Sequence, residues 1–411
     1  MCVVTLALGA AGLLRAIYHL VQIPHQLDFT QFYMMSYMVR TGQGASVYGT
    51  DAVEKLCTSL SIGHCMPTNY PPFAALAFLP LSYLSYQSAE AAYLLLNLAV
   101  TLALVVWGTK ELHSCPNWKR WALIVFVALL PATTKSLLLG QINAALALLL
   151  LATIADAGKR DWVAVGALSL ASAIKLWPLI LSGVFLLRKQ RRVAIGSLIG
   201  FGILTSLGLL AVGPKSAWEG YFAAKLPQSS ANMLRSGEAI NQSVWGTATR
   251  AFIGGTTHVA QLSVEDNKEV PVQPIVKSET LYWLTTSAFS VFIVILLVWI
   301  AARPPYNVHP LGRKTFAAVT IGIIILLPFS WDHYAYHIIF PYIVVLADKS
   351  ERSSSTVILG ITCLLLLLVQ RFSAYLPQHG LLLSFGFLAE VCMLAYLITS
   401  LMKAQNAYRD R

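Results

Sequence analysis

Long apolar runs are the feature that most limits what this chain can fold into. A helix needs about 20 apolar residues to cross a bilayer, and backbone exposed to lipid must satisfy its own hydrogen bonds. The runs therefore predict an all-α polytopic membrane protein with about twelve transmembrane helices, built as one domain over residues 1–411. Because no small-residue cleavage site follows the first run, we interpret it as an anchor rather than a signal peptide. The runs lie at residues 3–23, 86–108, 121–136, 141–156, 162–174, 176–187, 193–213, 280–302, 315–330, 335–347, 355–372 and 381–402.

Composition excludes the soluble classes of protein. Charged residues make up 11% of the chain and apolar residues 57%, whereas a soluble protein carries about 25% charged residues. The net charge of +11 fits the positive-inside rule, by which Lys and Arg collect in short cytoplasmic links. No basic stripe is interleaved with aromatic residues and no nucleotide-binding loop motif occurs, so neither nucleic acid nor a soluble nucleotide is an expected partner.

The distribution of positive charge orients the predicted helices. If successive runs alternate in direction, the links that follow the even-numbered runs hold 17 of the 29 Lys and Arg residues. This alternation predicts that both termini are cytoplasmic and that two long outer loops cover residues 24–85 and 214–279. Runs 162–174 and 176–187 are each too short for a full crossing. We expect them to form a hairpin whose tip, at Lys175, reaches the outer interface.

The conspicuous polar and aromatic residues fall on the outer side of this topology. A protein that only conducts ions would place such groups near the middle of the membrane. Their grouping at one interface instead predicts a site that meets a lipid headgroup. The set comprises Asp28, Tyr70, Gln141, Asn143, Lys175, Asn241, Gln242, Arg250, Trp331, Asp332 and His333.

Three ionisable members of this set have both a structural and a catalytic interpretation. Asp28 is either a solvated loop carboxylate or a general base for a sugar hydroxyl. Lys175 is either a snorkelling lysine or a cation that meets a phosphate. His333 either belongs to an ordinary interfacial turn, or donates a hydrogen bond to phosphate, or orients the base.

Other members of the set are open to similar pairs of interpretations. Arg250 is either a simple loop charge or a second phosphate ligand. The segment Asn241-Gln242-Ser243 also matches an N-glycosylation sequon, a short pattern with many chance matches. Tyr70 and Trp331 offer flat apolar faces for a sugar ring, or anchor the chain at the interface.

Two cysteines lie close together in the first outer loop. Cys57 and Cys65 have seven residues between them, and an oxidising exterior allows a disulfide there. Together with His64 they make an incomplete set of metal ligands. The spacing therefore favours a disulfide over a metal site and over free thiols.

The order of these motifs resembles glycosyltransferase family 87 of the GT-C superfamily. The resemblance implies a multi-helix GT-C bundle whose first outer loop carries the catalytic carboxylate. It also implies a polyprenyl-phosphate sugar donor, inversion at the anomeric carbon, Asp28 as general base and His333 near the donor phosphate. Many GT-C enzymes have a pair of acidic residues where this chain has Asp28-Phe29. The motifs are Asp28, Tyr70-Pro71-Pro72-Phe73, Gly140-Gln141-Ile142-Asn143, Ala173-Ile174-Lys175-Leu176-Trp177-Pro178, Asn241-Gln242-Ser243 with Arg250, and Ser330-Trp331-Asp332-His333.

These features predict a membrane glycosyltransferase that moves a hexose, above all mannose, to a lipid-linked glycan on the extracytoplasmic side. The polyprenyl phosphate is already a good leaving group. A base and positively charged donors are therefore sufficient, and no metal or cofactor is expected. Three alternatives stay open: a transferase for another polyprenyl-linked sugar such as arabinofuranose, a ligase for preassembled glycans, and a lipid-linked-sugar flippase or transporter. A transporter would show an inverted repeat and charges at the midplane, and the sequence shows no clear repeat.

Overall fold

The computed structural model describes residues 27–63, 65–260, 267–303, 309–349, 353–373 and 383–409. The predicted run 3–23 and both chain ends lie outside these residues. The α-helices are Leu27–Arg40, Thr50–Ser59, Ala74–Ala77, Tyr86–Glu111, Asn117–Leu129, Pro131–Leu138, Asn143–Asp156, Asp161–Ile174, Leu181–Leu187, Arg191–Val212, Pro214–Ala217, Leu226–Leu234, Val244–Phe252, Glu279–Ala302, His309–Leu326, Ile339–Ala347, Ser353–Ser373 and Phe385–Arg409. Four short 3-10 segments, Gly44–Ser46, Leu79–Tyr83, Trp177–Ile180 and Asp332–Ile338, and one π-helical segment, Trp218–Lys225, complete the helical structure of the described residues.

The other eleven predicted runs all coincide with helical structure, but three of them are interrupted. Run 121–136 is split into two helices that meet at an angle of 49°. The second of these helices begins at Pro131, which lacks the N–H group that a continuous helix requires. Runs 176–187 and 335–347 each begin as a 3-10 segment and continue as an α-helix.

Four helices of the described chain are long and apolar enough to cross a membrane. They are Tyr86–Glu111, Arg191–Val212, Glu279–Ala302 and Phe385–Ala404, and the bent pair Asn117–Leu129 and Pro131–Leu138 would make a fifth. Large apolar side chains on these helices point outward, such as Leu95 and Leu210, which are 67% and 70% exposed. The polytopic membrane architecture is therefore confirmed in outline, while the count of twelve crossings stays a prediction.

The two predicted outer loops contain folded structure of their own. The first holds the helices Leu27–Arg40 and Thr50–Ser59. The second holds the helix Val244–Phe252 and a two-stranded antiparallel sheet, a β element that the all-α prediction did not include. Its strands are Gly255–Ala260 and Asn267–Val272, paired in register from Gly255 with Val272 to Ala260 with Asn267.

The helix Leu27–Arg40 is buried in an aromatic core. The ring of Phe32 stacks on Phe78 with centroids 4.2 Å apart, and the ring of Phe29 stacks on Tyr93 at 4.7 Å. A helix that is apolar on most of its faces is stable only inside a core. This packing fixes the position of Asp28 in the first turn of the helix.

The helices give the bundle two chemically different ends. Asn143–Asp156 starts at one end, and Asp161–Ile174 returns to it, each with 14 residues, or about 21 Å at 1.5 Å per residue. Asn143 and Lys175 therefore share the end that carries the outer loops, and we call it the loop end. At the opposite end, Asp156 pairs with Arg160 at 2.7 Å, and we call it the basic end.

Candidate active site

A chain of hydrogen bonds links the carboxylate of Asp28 to the ammonium group of Lys175. The Oδ2 atom of Asp28 accepts a hydrogen bond from Nε2 of Gln141. The Oε1 atom of Gln141 in turn accepts one from Nζ of Lys175 at 3.2 Å. Nζ also donates to Oδ1 of Asn143 at 3.2 Å. We call these four residues the Asp28 cluster; in it one amide separates a negative group from a positive one.

The segment Gly140-Gln141-Ile142-Asn143 builds this cluster from one tight turn. Gly140 has a φ of +67°, a left-handed conformation that glycine adopts without steric cost. Its N–H donates to Leu137 at 3.2 Å, and the N–H of Gln141 donates to the carbonyl of Ser136 at 2.8 Å. This pair of bonds is the Schellman arrangement that ends a helix. The glycine therefore places Gln141 just beyond the helix end, where its side chain reaches Asp28.

Local contacts hold Asp28 in place. Its backbone N–H donates to the carbonyl of Leu139 at 2.9 Å. Its Oδ1 atom accepts from Nε2 of Gln31 at 3.0 Å, and Oε1 of Gln31 accepts from the N–H of Asn69 at 3.0 Å. A carboxylate in the first turn of a helix is also favoured by the helix dipole. Asp28 is thus oriented by Gln31 of its own helix and by the segment 139–141, and Asn69 orients Gln31.

Burial changes the acidity of Asp28. Removal from water raises the pKa of its carboxyl above the ordinary value, while the hydrogen bond from Gln141 and the charges of Lys175 and Lys135 oppose this rise. A carboxylate with a raised pKa takes up a proton more readily. Such a group is suited to accept a proton from a bound hydroxyl.

Lys175 has a few polar partners in surroundings that are otherwise apolar. The helix Asp161–Ile174 ends immediately before it, and its backbone is extended, with a φ of −134°. Its Nζ atom lies 4.3 Å from the ring centroid of Tyr334, a cation–π distance. Among the ion pairs of the described residues, none includes Lys175. A buried ammonium group held by neutral partners is available to an anionic ligand.

Lys135 joins the site through the segment Trp331–His333. Its Nζ atom pairs with Oδ2 of Asp332 at 2.6 Å, and both side chains keep partial exposure. The imidazole of His333 is buried, and its plane lies parallel to the indole of Trp331 with centroids 6.4 Å apart. Asn143 donates from Nδ2 to the carbonyl of His333 at 3.2 Å, which connects this segment to the Asp28 cluster.

Buried polar atoms without hydrogen-bond partners concentrate around these cations. In the described part of the chain, thirteen buried side-chain atoms have no partner, and eight of them belong to residues 133–136, 177 and 330–337. The imidazole of His337 contributes two, and its ring lies 5.2 Å from that of Trp177. Because buried polar groups are nearly always paired, this concentration marks a site for a polar ligand. The eight atoms are Thr133 Oγ1, Ser136 Oγ, Trp177 Nε1, Ser330 Oγ, Asp332 Oδ1, His333 Nε2, His337 Nδ1 and His337 Nε2.

The structure places Arg250 outside the Asp28 cluster, in the scaffold beside it. Its guanidinium group is fully buried and donates to the carbonyls of Glu238 at 2.7 Å and Asn241 at 2.8 Å. It also donates to Oγ of Ser384 at 2.9 Å. These contacts tie the second outer loop to the C-terminal helix. A role for Arg250 as a phosphate ligand stays a prediction, and its contacts favour a structural role.

Asn241 and Gln242 occupy the same scaffold. The Oδ1 atom of Asn241 accepts from the N–H of Ser330 at 3.1 Å, and the N–H of Gln242 donates to the carbonyl of Ser330 at 2.6 Å. The side-chain amide of Gln242 donates to Leu383 at 2.9 Å. The two amides thereby hold Trp331 and the residues after it in position.

Tyr70 and Trp331 differ in how accessible their rings are. Tyr70 is buried at 8% exposure, its ring centroid lies 4.3 Å from that of Phe32, and its hydroxyl donates to Oε1 of Gln141 at 3.3 Å. It therefore packs behind Gln141. Trp331 is only partly buried, at the loop end beside Asp332, and is the better placed of the two to contact a sugar ring.

The cysteine pair and the metal question are separate from this cluster. The structure joins Cys57 and Cys65 in a disulfide, with Cα atoms 6.0 Å apart. His64 lies outside the described residues. Over the described ranges, no group of three or more His, Cys, Asp or Glu side chains is placed to hold a metal ion together. The expectation that the site needs no metal stays a prediction.

Several residues near the cluster were not singled out from the sequence. Lys135 lies in a run that is predicted to be a membrane helix. An ionisable residue within such a run is a candidate functional residue, and this signal could have identified Lys135. Gln31 and Asn97 gave no comparable signal. Asn97 lies in the long helix Tyr86–Glu111 and donates to the carbonyl of Gln141 at 2.7 Å. His337, one helical turn after His333, was hidden in an apolar segment.

Comparison with protein families identifies a relationship over most of the chain. The profile of Glycosyltransferase family 87 matches residues 68–329. This range includes Tyr70, Gln141, Lys175 and Arg250, and it leaves Asp28 and the segment 331–334 outside.

Two curated mycobacterial proteins are similar in sequence, and both are named polyprenol-phosphate-mannose-dependent alpha-(1-2)-phosphatidylinositol mannoside mannosyltransferase. The protein of Mycobacterium tuberculosis is 27% identical over 296 residues, which cover 66% of this chain and 60% of that protein. The protein of Mycolicibacterium smegmatis is 31% identical over 163 residues, which cover 34% of this chain and 37% of that protein. The chain thus spans less than two thirds of either relative. No solved structure matches it significantly.

Proposed function

Because the chain belongs to glycosyltransferase family 87, we propose that it transfers a hexose, with mannose as the first candidate, from a polyprenyl-phosphate donor. The acceptor is a hydroxyl group of a lipid-linked glycan. The mannosyltransferases to which the chain is similar are named for a polyprenol-phosphate-mannose donor and a phosphatidylinositol mannoside. The observation that carries the proposal is the Asp28 cluster, in which Gln141 holds a carboxylate and an ammonium group side by side.

Asp28 is the general base in this proposal. Its carboxylate takes the proton from the acceptor hydroxyl, whose oxygen then bonds to the anomeric carbon as the bond from that carbon to the phosphate oxygen breaks. A single displacement of this kind inverts the anomeric configuration. A sugar hydroxyl is a weak nucleophile, and a positioned base contributes about 10²–10⁴-fold to such a step.

Hydrogen-bond donors around the cluster, both charged and neutral, stabilise the leaving phosphate. Lys175 and His333 are the principal candidates, because Nζ of Lys175 has no carboxylate partner within the described chain and Nε2 of His333 is buried without a partner there. Lys135, paired with Asp332, is a third. Charged donors fixed before reaction cost no reorganisation when charge develops on the leaving oxygen. With these donors and a phosphate leaving group, we expect transfer without a metal ion.

The proposed orientation puts the loop end on the extracytoplasmic side and both termini in the cytoplasm. Basic residues support it, because the Lys and Arg of the predicted inner links meet at the basic end, as with Arg160 and with Arg313, which pairs with Glu111 at 2.6 Å. A polyprenyl-phosphate sugar carries its activation within the membrane. The enzyme therefore needs no soluble nucleotide on the outer side.

The test is transfer of labelled sugar by the purified protein. Wild type, Asp28→Asn and Asp51→Asn are supplied with polyprenyl-phosphate mannose and a crude mycobacterial glycolipid acceptor. Asp51 is an exposed aspartate in the first turn of another outer-loop helix, so it is a matched control. Transfer by wild type and Asp51→Asn, with a loss of at least 10²-fold in folded Asp28→Asn, is the expected result.

Other outcomes discriminate among the remaining candidates. Equal transfer by Asp28→Asn would remove Asp28 from the role of base. Transfer only from polyprenyl-phosphate arabinofuranose would mean that the donor sugar is arabinofuranose, while the proposed reaction type would stand. In a third outcome, the protein transfers no sugar from any single-sugar donor and yet moves a lipid-linked sugar across the membrane of vesicles. This result would overturn the proposal of an enzyme in favour of a transporter.

A further inference from the structure

A second charged site lies at the basic end, about 20 Å from Lys175 along the helix Asp161–Ile174. Two links come together there, residues 158–161 and residues 188–192. They border an open pocket of about 340 Å³ lined by Gly158, Asp161, Lys189, Gln190, Arg191 and Arg192. This volume is within the range of about 300–1,000 Å³ that is typical of ligand sites. The positive-inside rule explains why basic residues occur in these links, but the proposed reaction does not use the pocket that they form.

The charge of the pocket is strongly positive. Lys189, Arg191 and Arg192 supply three cations, and Asp161 is the one acidic residue of the lining. Asp161 is already engaged locally, because its Oδ1 atom accepts the N–H of Gly158 at 2.8 Å. The lining therefore attracts an anion.

The helix Arg191–Val212 makes this positive charge costly without an anion. Arg191 and Arg192 occupy its first turn, where no acidic residue occurs and the N-cap residue Gln190 makes no capping bond with its side chain. Cations at a helix N-terminus oppose the helix dipole. A phosphate at this position would interact favourably with both the side chains and the dipole.

Lys189 is held in a conformation that favours glycine. Its φ is +59°, and it occupies the turn that ends the helix Leu181–Leu187. The N–H of Lys189 donates to Leu186 at 3.0 Å and the N–H of Gln190 donates to Phe185 at 2.8 Å. Glycine or asparagine usually occupies this position of the turn. A lysine there lines the pocket at a cost in backbone energy.

The surroundings of the pocket are those of a membrane interface. The helix Arg191–Val212 is one of the candidate membrane spans, so its first turn lies at headgroup level. Trp162 is 74% exposed beside the pocket, and Ile195 and Ile199 are 51% and 59% exposed on the adjoining helix. Exposed tryptophan at the end of a span is typical of the interface. The apolar side chains continue from the pocket toward the middle of the span.

We propose that this pocket binds the phosphate headgroup of an anionic phospholipid, whose acyl chains lie along Trp162 and the exposed apolar side chains of the helix Arg191–Val212. Basic pockets between membrane helices on the positively charged side have this chemistry. The site is separate from the Asp28 cluster. It holds a structural or regulatory lipid, independent of the reaction proposed above.

Lipid binding to the full-length protein in detergent tests this site without any measurement of turnover. Native mass spectrometry gives the apparent affinity for phosphatidylglycerol, with phosphatidylcholine as the zwitterionic comparison and inorganic phosphate as the soluble anion. The variants are Lys189→Asn and Arg191→Gln/Arg192→Gln. Asparagine tolerates a positive φ, so Lys189→Asn removes the charge and keeps the turn. Lys110→Gln, an exposed lysine of another inner link, is the matched control.

We expect wild type and Lys110→Gln to bind phosphatidylglycerol at least tenfold more tightly than phosphatidylcholine, and both pocket variants to lose this preference. If the double arginine variant does not fold, Lys189→Asn alone decides. Unchanged preference in a folded pocket variant would overturn the proposal. Displacement of phosphatidylglycerol by millimolar inorganic phosphate would also overturn it, because the pocket would then take a soluble anion.

Discussion

The side-chain amide of Gln141 donates a hydrogen bond to the carboxylate of Asp28, although the two residues are 113 positions apart in the chain. The oxygen of the same amide accepts a hydrogen bond from Lys175. An amide in this position keeps the acid and the cation near each other and prevents them from forming a direct ion pair. The carboxylate thus stays available as a proton acceptor and the ammonium group as an anion ligand.

The raised pKa of Asp28 predicts the acidic limb of the pH profile. Transfer requires the unprotonated carboxylate, so kcat/KM falls as the pH drops through the pKa of this group. Because burial raises that pKa, we expect the limb above the ordinary value of about 3.9 for aspartate. Gln141→Leu removes a bond that lowers the pKa, so its limb should move to higher pH. The control is Gln43→Leu, which replaces an exposed glutamine. If the acidic limb lies at the same pH in wild type, Gln141→Leu and Gln43→Leu, Asp28 is excluded as the titrating base.

Replacement of Lys175 separates charge from size. Lys175→Met keeps the length of the side chain and removes the ammonium group. We expect kcat/KM to fall about 10²–10³-fold, the usual effect of losing one charged donor to a developing oxyanion. The thermal unfolding midpoint should change little, because removal of a buried charge that has no carboxylate partner offsets the loss of the hydrogen bonds to Gln141 and Asn143. A fall in this midpoint with little change in kcat/KM would assign Lys175 a structural role.

The pair formed by Lys135 and Asp332 is suited to a double-mutant cycle. Transfer is measured for Lys135→Met, Asp332→Asn, the double variant and wild type. Since the two side chains contact at 2.6 Å, we expect a coupling free energy of about 0.5–3 kcal/mol in kcat/KM. The double variant should lose less than the sum of the single losses. Strict additivity would mean that each residue acts on the substrate alone.

Replacement of Arg250 should affect stability more than chemistry. Arg250→Gln leaves the carbonyls of Glu238 and Asn241 without their charged donor. Hydrogen bonds to charged groups contribute about 1.5–3 kcal/mol each, so we expect a large drop in the unfolding midpoint and near-normal kcat/KM for the folded fraction at low temperature. Normal stability with lost transfer would instead make Arg250 a ligand of the phosphate.

The disulfide between Cys57 and Cys65 closes a short loop in the first outer region. Cys57→Ser/Cys65→Ser should lower the free energy of unfolding by about 2–3 kcal/mol. This is the contribution expected when a cross-link that closes a loop of this length no longer restricts the entropy of the unfolded chain. Reductant should produce the same shift in wild type and none in the double variant. A wild type that is insensitive to reductant would show that the bond contributes little to stability.

Sequence patterns were sufficient to predict those structural features that depend on residues close together in the chain. The apolar runs determined the membrane class and the approximate bounds of eleven helical regions, because hydrophobicity over a window of residues is a local property. Gly140 and the residues after it marked the start of a helix for the same reason. The prediction of one continuous run over residues 121–136 was wrong at Pro131, where a new helix begins at an angle of 49°, because proline breaks a helix in its interior.

Only the tertiary structure decided which side chains meet. Lys135 and Asp332 are 197 positions apart, and no local pattern relates them. Arg250 looked like a phosphate ligand by charge and position, yet packing of the second outer loop against the C-terminal helix brings its guanidinium group to carbonyl and hydroxyl oxygens of the protein. The physical reason is that the charge of a residue determines which kinds of group it can bind, whereas helix packing determines which of those groups lie within contact distance.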